Sequence, residues 1–288
     1  MSLKLNTPLE SGIVLYLPFS EGVGKKVWDR SKYQNHGALV GAVGTADAGT
    51  DATQLVDAPL SAVDGIYVGQ ACYATSGAAN GNFALISAYN GTTKTATFAT
   101  ALTGFTVGDT YALFPAWVNG KYGKALSFGT DDYVNITNSA SLYPAHITVS
   151  VRVNSSDVTK NYGSIILSDV AAADYGWSLY FEQTTGKLHW AIDAVGGIAN
   201  VISATTLVNN VWYHIAGTYD GSTAKLYINA ILDGTPASTT GVINVRAYNI
   251  RIGCRTAGYP YAGVIDEVRV YNRSLSPEEI RTLYLAVR

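Results

Sequence analysis

The chain has 288 residues, of which 48% are hydrophobic and only 14% charged, with a formal net charge of −2. That balance excludes a disordered chain, and it leaves no basic footprint for nucleic acid or an anionic membrane surface. No run of 18 apolar residues is present, so no helical membrane span is expected.

The opening segment, MSLKLNTPLESGIVLYLPFS, carries Pro8, Glu10 and Pro18 where a secretory leader needs an unbroken apolar stretch. No signal peptide is read there. Strand signals follow: GIVLYLPF, then ALSFG, HITVSVRV, GWSLYFEQ, KLHWAIDA, WYHIAGTYD, AKLYINA, YNIRIGC and GVIDEVRVY. They are short, β-branched and aromatic, with turn pieces such as QTTGK, YDGST and LDGTP between them. This spacing predicts hairpins in an all-β, two-sheet antiparallel jelly roll rather than βαβ units.

Residues 43–116 differ in character. The stretch is rich in Ala, Gly and Thr, and its charges are five Asp and one Lys. It holds strand candidates of its own and an Asn90-Gly91 turn signal between two of them. We read it as a small inserted β module, barrel-like, splitting a larger domain into 1–42 and 117–288; an elaborate loop is the alternative. Cys72 and Cys254 fall on either side of that division and are expected to be separate structural thiols.

At the C-terminus Ser276 precedes Glu279 by three residues, and Pro277 occupies the first helical position. The pattern predicts a capped helix that lays Ile280, Leu283 and Tyr284 against the sandwich.

Four ordered motifs carry a family likeness: WDRSKYQNHGALVGA (28–42), WVNGKYGKALSFGTDDYVNI (117–136), WYHIAGTYDGSTAKLYINA (212–230) and GVIDEVRVYNRSLSPEEI (263–280). Together they resemble a laminin G-like, concanavalin A-like jelly roll over 1–42 and 117–288. Within the insert, LISAYNGTTKTATFATALTGFTVGDTYAL (85–113) is similar to a small β module of phage structural proteins. Two departures from the larger family stand out: Arg152 in SVRV where an aromatic is usual, and Ala230 after Asn229 where Gly is usual.

Alternation in GVIDEVRVY puts Val264, Asp266, Val268 and Val270 on one face, so Asp266 is expected among core residues and needs a partner. The resemblance implies a structural calcium, with Glu21, Asp29 and Asp266 as its carried-over ligands. The alternative is that Asp29 caps its own turn and Asp266 accepts from backbone amides. The same alternation sends Arg152, Tyr180, His189, Asp193, Tyr227, Arg251 and Arg255 outward, with Tyr259 and Tyr261 on a neighbouring loop. Rings, carboxylates and planar donors together suit a sugar, though each residue alone is more often plain surface. Trp177, Trp190 and Trp212 are read as packing residues.

Catalytic signals are weak. No E-x-D-x-E strand is present; a hairpin of DYGWSLYFE and LHWAID would juxtapose Glu182 and Asp193, but nothing marks them as general acid and nucleophile, and neither His189 nor His214 has a serine or cysteine partner in view. The expectation is therefore a non-catalytic binding or structural protein, on a virion or otherwise extracellular. With no signal peptide read and a phage-like module resembled, the leading reading is a phage-like virion surface or tail-associated protein whose jelly roll binds carbohydrate or mediates decoration and assembly. Its partners would be a glycan or cell-surface polysaccharide, other virion proteins and further copies of itself, with no nucleic acid or membrane. A binding module or adhesin of a secreted bacterial protein is the alternative, and a glycoside hydrolase the third reading.

Overall fold

The computed structural model describes residues 8–22, 24–62, 67–129, 132–169, 175–255 and 259–286. Two antiparallel eight-stranded sheets dominate it. Sheet I runs Ala116–Asn119, Lys124–Phe128, Gly263–Tyr271, Ile147–Ser155, Trp212–Tyr219, Thr223–Ile228, Ile231–Ser238, and Ile13–Leu17 also pairs with Gly263–Tyr271. Sheet II runs Gly197–Ile202, Lys187–Ala194, Tyr175–Glu182, Ser164–Asp169, Ile250–Ile252, Tyr133–Ile136, Gly37–Val40, Lys26–Val27. This is the expected concanavalin A-like sandwich.

Period-two alternation builds the core between the sheets. Val149, Val151, Val153, Ile215 and Leu226 of sheet I meet Trp177, Leu179, Phe181, Leu188, Trp190 and Ile192 of sheet II, all fully buried. Trp177 and Trp190 are thus core, and each indole N–H finds a backbone carbonyl, on Leu142 and Thr218 respectively. Gly217 is required beneath Trp190, because a Cβ there would lie 2.4 Å from the indole. Cys72 and Cys254 are buried free thiols, and burial pushes the Cys72 thiol up to about 12.

The helix Pro277–Leu285 forms with the expected capping box, Ser276 accepting from the Glu279 amide while the Glu279 carboxylate accepts from Ser276 N–H. Arg273 clamps the same carboxylate with two guanidinium nitrogens, at 2.9 and 2.7 Å. The helix lies on the outer face of sheet I, where Ile280 and Leu283 bury against Leu9, Ala216, Tyr227, Tyr271 and Leu275.

A third sheet of six strands lies within residues 43–116, ordered Val43–Thr45, Thr110–Phe114, Ala71–Ala74, Phe83–Asn90, Thr95–Phe98, Gln54–Val56. It has its own core around Leu55, Cys72, Ile86, Tyr111 and Leu113. Its hairpin turn is four residues long, not two: Asn90 pairs with Thr95, and the Asn90 side chain accepts from the amides of Thr92 and Thr93. Tyr73 and Phe114 point the other way, join the main core, and carry the Lys25 ammonium over both rings at 4.5 and 5.3 Å.

The last strand departs from simple alternation. Ser150 pairs with Arg269 but Arg152 pairs with Asp266, so one extra residue is inserted there, and Glu267 adopts φ +54°. The bulge inverts the phase. Asp266 therefore shares the outer face with Arg152, while Val268 and Val270 face inward, which corrects the expected placement of Asp266 among core valines.

Candidate functional site

The proposed binding residues separate into two groups. Arg152, Tyr227, Asp193 and Tyr261 are buried. Arg152 and Tyr227 do leave sheet I outward, but onto the face the C-terminal helix covers. The Arg152 guanidinium donates to the carbonyl oxygens of Leu283 at 3.1 Å and Tyr284 at 2.7 Å, and lies over the Tyr122 ring at 4.8 Å. It neutralises the helix's carbonyl end. Asp193 accepts from Asn244 and pairs with Arg246, fastening the loop that crosses one end of sheet II. Tyr261 stacks on Phe181 with centroids 6.1 Å apart, in the core. These four are structural residues, and alternation could not reveal which outward face another element covers.

Tyr180, His189 and Arg251 lie on the outer face of sheet II, and Arg255 and Tyr259 sit on a separate two-stranded ladder, Cys254–Arg255 with Tyr259–Pro260. Tyr180 and His189 are cross-strand neighbours, their rings 4.7 Å apart, with the Tyr180 hydroxyl 2.7 Å from His189 Nδ1. A carboxylate oxygen of Glu182 lies 3.0 Å from the same nitrogen. Tyr162 extends the group: its ring is 6.0 Å from Tyr180 and edge-on to Tyr259 at 5.4 Å, and Gln183 donates to its hydroxyl at 2.8 Å. Arg255 follows, 5.8 Å from the Tyr259 ring, its own side chain buried. Arg251 stands two strands from Tyr180 on the same sheet and stacks over Tyr133 at 4.5 Å.

Burial lowers the pKa of His189, and the neighbouring Glu182 only partly opposes this, so the imidazole is neutral at pH 7. A neutral ring keeps one donor and one acceptor. The cluster is half-buried, its geometry held by its own hydrogen bonds, with phenol rings offering apolar faces and polar rims. Sequence reasoning missed Tyr162 and Gln183. Both have positive φ, +51° and +38°, and sit in turns where periodicity carries no information.

The expected metal ligands do not form one donor set. Among the described residues no three Asp, Glu, His or Cys side chains gather where an ion could be held. Asp29 accepts from the amides of Tyr16, Ser31 and Asn35, each at 2.8 Å, and from the Ser31 hydroxyl at 2.7 Å. Asp266 accepts from the amides of Lys121 and Tyr122 at 3.0 and 3.2 Å, and a Cβ on Gly120 would come within 2.6 Å of it. Glu21 lies 3.5 Å from Arg30. Backbone donors are thus aimed at both Asp29 and Asp266, in Asp266 at one carboxylate oxygen.

Catalytic groupings fare no better. Glu182 pairs with Lys187, six residues along the strand from Asp193. At ~3.3 Å per residue that separates the two carboxylates by ~20 Å, beyond the roughly 5–9.5 Å of a glycosidase pair. His214 does have a serine, Ser150, with its hydroxyl 2.9 Å from Nε2, which the sequence did not reveal. Both are buried beneath the helix. Burial, with Arg152 and Arg269 adding to it, holds the His214 imidazole down to about 3, the opposite of what a general base requires.

The family described as the concanavalin A-like lectin/glucanases superfamily matches residues 128–281, more than half of the chain. A search among curated proteins finds no match. Among solved structures, the binding domain of Paraclostridial Mosquitocidal Protein 1 is 16% identical with a TM-score of 0.52, over 96% of this chain and 52% of that one. The receptor binding domain of botulinum neurotoxin mosaic serotype C/D is 15% identical with a TM-score of 0.51, over 96% and 51%. Domain 4 of an extracellular arabinanase from Geobacillus stearothermophilus, in complex with arabinotriose, is 20% identical with a TM-score of 0.47, over 59% and 81%. This chain thus spans about half the length of the two toxin domains, and at such identities the shared feature is the fold.

Proposed function

The chain belongs to the concanavalin A-like lectin/glucanases superfamily, and on that premise we propose that it is a non-catalytic carbohydrate-binding protein whose ligand rests on the outer face of sheet II. The observation that carries this reading is the cluster of Tyr162, Tyr180, His189 and Tyr259, four linked rings fixed beside Glu182 and Gln183. Phenol and imidazole rings stack on the C–H faces of a sugar, while the carboxylate and amide pair with its hydroxyls. Few rotamers need freezing, because the cluster is already held by its own contacts, and that favours affinity for a flat, polar ligand. We place the protein where glycans are met, on a virion or outside a cell.

Support for a role without chemistry comes from the separation of Glu182 from Asp193 and from the sealed Ser150–His214 pair. A glycan array run with the wild-type protein and with a Tyr180→Ala/Tyr259→Ala variant tests the reading. Binding by the wild type that the variant loses, with melting temperature preserved, is the expected result. Well-folded wild type that binds no glycan would sink it.

A further inference from the structure

A second concavity lies on the other side of the sandwich, against the outer face of sheet I, and no residue of the C-terminal helix lines it. Its volume is about 480 Å³, within the range of small-molecule sites. The floor is one row of cross-strand neighbours: Ala116 pairs with Ser127, Ser127 with Val264, and Val264 with Asn154. Leu126, Ile265 and Val153, one step along each strand, are fully buried between the sheets, so alternation turns the row outward. One wall comes from residues 43–116, through the half-exposed Val68 and the buried Gln70. The opposite wall is carried by the turns that hold Ser156, Lys160 and Asn210. The pocket therefore forms only where residues 43–116 meet the jelly roll.

The frame is fixed by the backbone. Ser156 N–H donates to the Ala262 carbonyl at 3.0 Å, Asn210 N–H to the Ser155 carbonyl at 2.6 Å, and Gly163 N–H to the Lys160 carbonyl at 3.0 Å. The Gln70 amide donates to the Asp132 carboxylate at 2.9 Å, and the Gly129 N–H donates to the same carboxylate at 3.1 Å. A Cβ at Gly263 would come within 2.2 Å of the Asn154 carbonyl oxygen, so this corner needs glycine. Against that fixed frame, the side chains of Ser127, Asn154, Ser156, Lys160 and Asn210 make no hydrogen bond or ion pair among the described residues. A ligand reaching them breaks no internal bond.

Amides and hydroxyls both donate and accept, as sugar hydroxyls do, and the Lys160 ammonium adds further donors. Val68, Ala116 and Val264 supply an apolar surface for ring C–H groups. Lys160 is the one charged residue among the described lining, and the Asp132 carboxylate stands behind Gln70 with the opposite sign. One charge of each sign gives the pocket no net pull on an anion. We propose that this pocket binds a neutral sugar residue, with residues 43–116 supplying one wall of the site. It is a second carbohydrate site, separated by both sheets from the ring cluster outside sheet II.

The test uses Tyr180→Ala/Tyr259→Ala as its background, which removes the ring cluster and leaves one site to read. Saturation-transfer NMR is run on that variant with glucose, galactose, mannose, N-acetylglucosamine, arabinose and cellobiose, and with glucuronate and inorganic sulfate as anionic controls. At least one neutral sugar is expected to bind, at millimolar concentrations that the washing of a glycan array removes. Adding Asn154→Ala and Asn210→Gly should weaken it about tenfold or more while the melting temperature is kept. Glycine is chosen at 210 because Asn210 has φ +60°. Failure of every neutral sugar to bind the background variant would overturn the proposal. So would glucuronate or sulfate binding as well as the neutral sugars, or an affinity that the two added changes leave intact. If those changes impair folding, Ser127→Ala/Ser156→Ala gives the same comparison with a smaller expected loss. Failure of the ring-cluster site is read separately, on the array.

Discussion

The Arg152 guanidinium donates to the carbonyl oxygen of Tyr284 at 2.7 Å, joining the central strand of sheet I, Ile147–Ser155, to the last turn of the only α-helix among the described residues. A residue expected on a sugar-binding face instead holds the helix at the chain's end. Replacing it with alanine should cost about 2–4 kcal/mol, since buried helix carbonyls lose a charged donor and the Tyr122 and Tyr284 rings lose their cation. Chemical denaturation of Arg152→Ala checks this, and glycan binding should survive at temperatures where the variant is folded.

Acid should weaken the protein through His214. Its folded pKa of about 3 lies below the ordinary 6.5, so between those values the unfolded chain binds a proton that the native one refuses. Stability therefore rises with pH across that window and levels off above it. The contribution reaches roughly 3 kcal/mol by pH 4, at 1.36 kcal/mol per pKa unit. His214→Gln keeps a partner for Ser150 and cannot titrate, so its denaturation midpoint should fall less steeply between pH 6.5 and 4 than the wild type's.

The Asp29 carboxylate is held by three backbone amides and the Ser31 hydroxyl. Asp29→Asn forces an amide N–H₂ against backbone donors from Tyr16, Ser31 or Asn35, at a cost of about 2–4 kcal/mol. Chelator or added calcium should leave the wild-type melting temperature unchanged. A chelator-dependent fall in that temperature would restore calcium to the account.

The bulge at Glu267 carries a buried ion pair with Arg269, and the Tyr16 hydroxyl donates to the same carboxylate at 3.3 Å. Removing one partner leaves a charge without compensation, so Glu267→Ala should destabilise by about 3–5 kcal/mol. The double change Glu267→Ala/Arg269→Met should cost less than Arg269→Met and Glu267→Ala summed, which a double-mutant cycle measures.

Much of this was legible in the chain and some was not, for identifiable reasons. Alternating valines and aromatics disclosed the sheets, and Ser276, Pro277 and Glu279 disclosed the capped helix, because both signals are local. Alternation also sent Arg152 and Tyr227 outward, correctly, but it cannot say that a helix some 130 residues later in sequence than Arg152 covers that face. Asp266 was misplaced because a single left-handed residue, Glu267, shifts the phase, and a glutamate gives no warning of φ +54°. Tyr180 and His189 were visible as strand positions, whereas Tyr162 reaches them from a turn.

The most direct test is calorimetric affinity for the best array glycan, compared between Tyr180→Ala and Arg152→Ala. The account predicts that Tyr180→Ala loses about tenfold or more in affinity with little change in melting temperature, while Arg152→Ala melts earlier and binds as the wild type does. Affinity lost in Arg152→Ala and kept in Tyr180→Ala would contradict it, and would move the binding site to the helix-covered face of the sandwich.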